Sequence, residues 1–158
     1  METKWLTPAE MAAWRAFIET SGDLSAAFER DLSDHGLTLG DYQVLVYLSE
    51  ADADSMRMCD LADVLQLSPS GLTRRLDGLV KSGLVTRLPS TEDRRVMMGV
   101  LTEAGRELLT RTAPHHVASV RRHIFDHLNA DQVDAMASIF EAISAGLAAD
   151  QASTSDVA

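Results

Sequence analysis

The chain is 158 residues long, 46% hydrophobic and 24% charged, with a formal net charge of −10. This composition suits one ordinary globular domain with an apolar core, and a single cysteine, Cys59, excludes an internal disulfide scaffold. No segment reaches the ~18 uninterrupted apolar residues of a membrane span. The start METKWLTPAEMAAW is acidic where a signal peptide would be basic and then apolar, so the expectation is a soluble cytoplasmic chain with no membrane partner.

Thr7-Pro8-Ala9-Glu10 is a capping box with proline at the first helical position, which starts a helix there. Met11, Trp14, Ile18, Ser21, Leu24, Phe28 and Leu32 then fall at steps near three and four, a stripe long enough for a partner subunit as well as for the chain's own core. His35-Gly36 ends this helix. Thr38-Leu39-Gly40-Asp41 opens the next, with Tyr42, Leu45, Val46 and Leu48 at core positions. The acidic run from Glu50 to Ser55 reads as a surface loop. A short helix is expected from about Met58 to Leu67, with Leu61, Ala62 and Leu65 inward and Asp60 and Asp63 outward.

Ser68 caps a further helix with Pro69 at its first position, and Gly83 ends it. The runs 84–88 and 96–101 are strand-like and are joined by a polar turn from Pro89 to Arg95, which makes a hairpin with a charged tip. Thr102 caps a long helical region whose core candidates are Leu108, Leu109, Val117, Val120, Ile124, Phe125 and Leu128, and Pro114 should kink or restart it. Asn129 to Gln132 is another capping box. Val133, Met136, Phe140, Ile143 and Leu147 follow as a second apolar seam, and the small polar tail is expected to fray.

The charge is segregated. Residues 68–99 hold six Lys/Arg against three Asp/Glu, a local charge of +3 that leaves −13 on the rest of the chain. A helix, a tight connection, a basic helix opening Ser-Pro-Ser-Gly and a hairpin tipped with arginines form, in that order, a winged helix-turn-helix. The expected fold is therefore mainly α with a small β-hairpin wing. In such a motif the second helix enters the major groove by its N-terminal end. Ser68, Ser70 and Gly71 are small enough for close backbone approach, and Thr73 and Arg74 reach bases or phosphates. Arg94 and Arg95 are placed for the adjacent minor groove.

The run LADVLQLSPSGLTRRLDGLVKSGLVTR, followed by DRR and LTEAGRELL, resembles the multiple-antibiotic-resistance regulator (MarR) family of bacterial repressors. WRAF, LGDYQVLVYL and HVASVRRHIFDHL extend the resemblance over roughly residues 7–147. It implies a single domain over 1–158, with dimerisation helices at 7–35 and 103–148, a winged motif at 38–101 and a flexible tail at 149–158. It also implies a homodimer whose first helix and last two helices interlock, with wings flanking a pseudo-palindromic operator in double-stranded DNA.

On the family's Asp-x-Arg wing signature, Asp93 orients Arg95 for the minor groove, Arg94 contacts phosphate, and Arg87 supports the wing. The resemblance further implies release by a small aromatic or phenolic ligand, with Trp14, Phe17, Tyr42 and His116 as pocket candidates. No cofactor, resident metal or catalysis is expected.

Three other readings stand beside this one. A winged helix can serve protein contact instead of DNA. His116, His123 and His127 fall at helical spacing that suits a shared zinc ion, although such a row beside Arg121 and Arg122 is more often a polar helix face or interface. Cys59 has no neighbour that would activate its thiol, and its acidic neighbour Asp60 favours a structural or partly buried thiol over redox sensing.

Overall fold

A computed structural model describes residues 3–155, with side chains through residue 150. Contacts divide the chain into two compact units that meet between Ser119 and Val120. The first begins with helix α1, Pro8–Ser33, whose capping box is formed: the Thr7 hydroxyl accepts the Glu10 N–H and the Glu10 carboxylate accepts the Thr7 N–H. Helix α2, Leu39–Glu50, starts on an equivalent Thr38/Asp41 box. Helices α3, Met58–Val64, and α4, Pro69–Lys81, form the helix-turn-helix. Strands β2, Val85–Pro89, and β3, Met97–Leu101, form the wing, and helix α5, Glu103–His123, follows.

The core lies around α2. Val44, Leu45 and Leu48 are wholly buried with Leu61 of α3, Leu72 and Leu76 of α4, and Val85 of β2. Each buried leucine contributes ~1.5–3 kcal/mol relative to exposure, which fixes α4 against α2 by its inner face and leaves the outer face to solvent.

The acidic segment expected to be a loop is more ordered than that. Asp52–Asp54 is a 3-10 turn with Ala53 and Asp54 in left-handed conformations, and Ser55–Arg57 is a strand, β1. It pairs antiparallel with β3, Met56 opposite Gly99, so the sheet has three strands in the order β1-β3-β2. Arg106 of α5 pins the turn through an ion pair with Asp54. Helix α3 also ends earlier than expected, at Val64, because Gln66 turns left-handed before Ser68 caps α4.

Pro114 does not restart the helix: α5 runs unbroken from Glu103 to His123. Burial of Leu109 and Thr112 before the proline, and of Ser119 after it, holds the helix through the lost N–H. Ser119 donates to the Asp31 carboxylate of α1.

At the start of α5, the Thr102 hydroxyl donates to the Gly83 and Leu84 carbonyls and accepts the Gly105 N–H. The helix thereby sits on the turn that ends α4. Gly105 is required there, since the Leu84 carbonyl oxygen occupies the place a Cβ on residue 105 would take.

In the second unit the long helical region ends before Leu128. Ile124 leaves helical geometry (φ −124°, ψ −72°) and Phe125–His127 is a 3-10 turn. Asn129 and Gln132 cap each other reciprocally at the start of helix α6, Ala130–Ser155. Helix α6 runs through Ser155, over the first residues of the segment expected to fray. Residues 156–158 of that tail lie outside the described residues. Ile139, Phe140, Ile143 and Leu147 of α6 are exposed, as are Trp14, Phe17 and Ile18 of α1. No helix among the described residues is long and apolar enough to cross a membrane.

Candidate nucleic-acid interface

Helix α4 presents its first turns outward. Ser68 caps it, its hydroxyl accepting the Gly71 N–H at 3.1 Å and lying 3.2 Å from the Ser70 hydroxyl. The Thr73 hydroxyl donates to the Pro69 carbonyl at 2.9 Å, so it is turned along its own helix. Ser68, Ser70, Thr73 and Arg74 are exposed and Gly71 is half-buried.

Asp93 and Arg95 meet at the wing tip. The Asp93 carboxylate accepts the Arg95 backbone N–H at 3.0 Å, and its two oxygens accept the Arg95 Nε and Nη2 at 3.1 and 3.2 Å. These hydrogen bonds, the side-chain pair first and the backbone N–H second, hold the Asp93 carboxyl below its ordinary range. The Arg95 side chain is 91% exposed, so the pairing aims the guanidinium without covering it. Arg94 is exposed and lines a wing-tip cleft of about 430 Å³ with Pro89, Ser90 and Thr91.

Arg87 is placed differently. Its Nη1 donates to Asp77 at 2.8 Å and its Nη2 to the Thr73 carbonyl at 2.8 Å, while its Nε is buried with no acceptor. The side chain is a strut that ties β2 to α4, setting the wing's angle to the outward helix. Asp77, the carboxylate end of that strut, was missed in the sequence. Its position four residues after Thr73 on the same face was the available signal.

The four pocket candidates fall into two pairs. Tyr42 and His116 meet at a tilt with ring centroids 4.4 Å apart, and Phe28, known from the sequence only as part of the α1 stripe, makes a T-shaped contact with His116 at 5.6 Å. Trp14 and Phe17 neighbour each other along α1 at 6.2 Å. The His116 Nδ1 is buried without a hydrogen-bond partner, as is the Thr112 hydroxyl one turn before it.

Burial lowers the His116 pKa from its ordinary 6.5, with the Asp31 carboxylate opposing in part. Below 6.5 the unfolded chain takes up a proton that the folded ring resists, so stability falls on the acid side and is unaffected by this group above it. His116→Phe is expected to flatten the drop in urea midpoint between about pH 7.5 and 5.5. An undiminished drop would assign the acid sensitivity to other groups.

The histidine row is interrupted. His116 lies on α5, His123 is its last residue, and His127 lies in the 3-10 turn, so the helical spacing does not carry through to the third member. Among the described residues no three His, Cys, Asp or Glu side chains stand together as a metal site. Cys59 is exposed, its thiol 3.3 Å from the Asp60 carboxylate.

A basic outward helix braced to a wing, with an acid-oriented arginine at the wing tip, defines a winged helix-turn-helix regulator. The MarR family model matches residues 37–97. The chain is 41% identical to AbsC, a MarR family transcriptional regulator from Streptomyces coelicolor, with TM-score 0.87 over 92% of this chain and 98% of that one. It is 35% identical to Sco3205, a MarR family regulator from the same organism solved in complex with DNA, with TM-score 0.88 over 92% of both chains. It is also 27% identical over 105 residues to the transcriptional repressor YetL of Bacillus subtilis, covering 66% of this chain and 63% of YetL. The chain thus spans less than two thirds of that curated relative. The chain belongs to the MarR family, whose members are transcription regulators and not enzymes.

Proposed function

We propose that the protein is a homodimeric, sequence-specific double-stranded-DNA-binding repressor, acting in the cytoplasm and released by a small aromatic or phenolic ligand. The observation that carries this reading is the exposed set Arg74, Arg94 and Arg95 on the helix-turn-helix and wing, a basic stretch of an acidic chain. Each keeps its charge available to a duplex, and the Asp93 pairing orients the last. Ser68, Ser70, Gly71 and Thr73 let α4 approach closely, and Arg87 holds the wing in place for it. The DNA complex of Sco3205 and the repressor activity in YetL's name support the same reading.

The exposed apolar residues of α1 and α6 favour a second copy as their cover, with the whole chain working as one domain within the dimer. The Tyr42 and His116 rings, in tilted contact, with the unpartnered Nδ1 favour an aromatic ligand bearing a polar group, with Trp14 and Phe17 as further contacts.

The test is a titration of purified protein against its own upstream intergenic DNA and a scrambled duplex across salt concentrations, with sedimentation in parallel. Tighter binding to the upstream duplex, a decline with salt and a dimer at micromolar concentration are expected. Equal affinity for the two duplexes overturns the repressor reading.

A further inference from the structure

Helix α4 is braced on two flanks, and only one brace is accounted for by the wing. Arg87 grips Thr73 and Asp77 on the wing side. About 180° round the helix from their midpoint, at ~100° per residue, stands Arg75. Its guanidinium lies over Gly40 in the first turn of α2 and fills the space that a Cβ on residue 40 would need.

Arg75 is half-buried, yet among the described residues it has neither salt bridge nor hydrogen bond. Two acids near that turn are engaged elsewhere: the Asp41 carboxylate accepts the Thr38 N–H at 3.2 Å, and the Glu29 carboxylate accepts the Leu39 N–H at 2.8 Å. The guanidinium is therefore held by the shape of the glycine seat and not by a counter-charge. All five of its N–H donors are left without a protein acceptor.

We propose that Arg75, seated on Gly40, is a phosphate-backbone contact on the α2 flank of the recognition helix. This rests on the DNA-binding reading above. A helix lying in the major groove has a phosphate strand along each edge. The wing serves one edge, and Arg75 is the unpaired cation on the other. Its direction, about 100° round α4 from Arg74, points it to the edge and not to the base pairs. Gly40 sets the reach, because any side chain there displaces the guanidinium from its seat.

The test compares the parent, Arg75→Met, Gly40→Ala and the double variant as full-length proteins on upstream duplex DNA across salt. Arg75→Met keeps an apolar stem and is expected to make log K against log salt shallower by roughly two, one contact per half-site. Gly40→Ala moves only the far end of a flexible side chain, so its melting temperature stays near the parent's while its binding weakens. That weakening is expected to vanish in the Arg75→Met background, which a general packing defect would not produce. A parental affinity in Arg75→Met, or a reduced affinity with an unchanged salt slope, overturns the phosphate contact. Failure of the parent to bind any DNA overturns it together with the regulator reading, and is recognised because it does not depend on residue 75.

Discussion

Arg95→Ala is expected to weaken operator binding strongly, because the side chain is almost wholly exposed at the wing tip and already oriented by Asp93. A dimer presents it twice. At ~1–2 kcal/mol per wing, the two losses compound to roughly 30- to 1000-fold in Kd. Asp93→Ala leaves the charge but removes its three hydrogen bonds to Arg95, so a smaller loss is expected. Arg95→Lys should rescue little, since an ammonium cannot make the paired contact. The lowered Asp93 pKa keeps the pair charged as pH falls into the ordinary carboxylate range; its contribution is fully present above the ordinary carboxylate value of 3.8 and is lost as pH falls from there through the lowered one. Fluorescence anisotropy at fixed salt reads these differences, and parental binding by both alanine variants would show that the wing is not inserted into DNA.

Gly105→Ala should be among the most damaging single changes to stability. The new methyl meets the Leu84 backbone carbonyl and the Leu101 side chain, and backbone cannot rotate away as a side-chain end can. Overpacking of this kind costs ~1–3 kcal/mol, or about 2–4 °C of melting temperature per kcal/mol in a chain of this size. The strain falls where Thr102 ties α5 to the end of α4, so operator affinity should decline as well. Gly78→Ala is the matched control: nothing lies within 4 Å of its Cβ position, and alanine is the better helix former. Equal melting temperatures for Gly105→Ala and the parent would mean that α5 does not close on Leu84 in solution.

The helix starts were legible because capping is local. Thr7 with Glu10, Thr38 with Asp41, and Asn129 with Gln132 each satisfy N–H groups three residues apart, and such pairs can be read directly from the letters. Strand β1 was not legible. Three residues carry too little periodicity, and Ser55–Arg57 is extended only because β3 offers it a ladder about forty residues away. Nor did the letters show that the helix runs on through Pro114 without a restart, where burial on either side of the proline supports it.

By itself the sequence determined the order of the helices and the wing hairpin, the winged helix-turn-helix, and the concentration of positive charge in α4 and the wing. These depend on caps, short periods and composition, all of which act within a few residues. Only the tertiary structure decided which arginines remain available. Arg87 is turned onto Asp77, ten residues away, while Arg74 and Arg95 stay exposed and Arg75 rests on Gly40. The same holds for His116, whose pKa is lowered because packing between α1 and α2 removes its ring from water. Pairing and burial arise between distant parts of the chain, and no local pattern encodes which partner a charged side chain will meet.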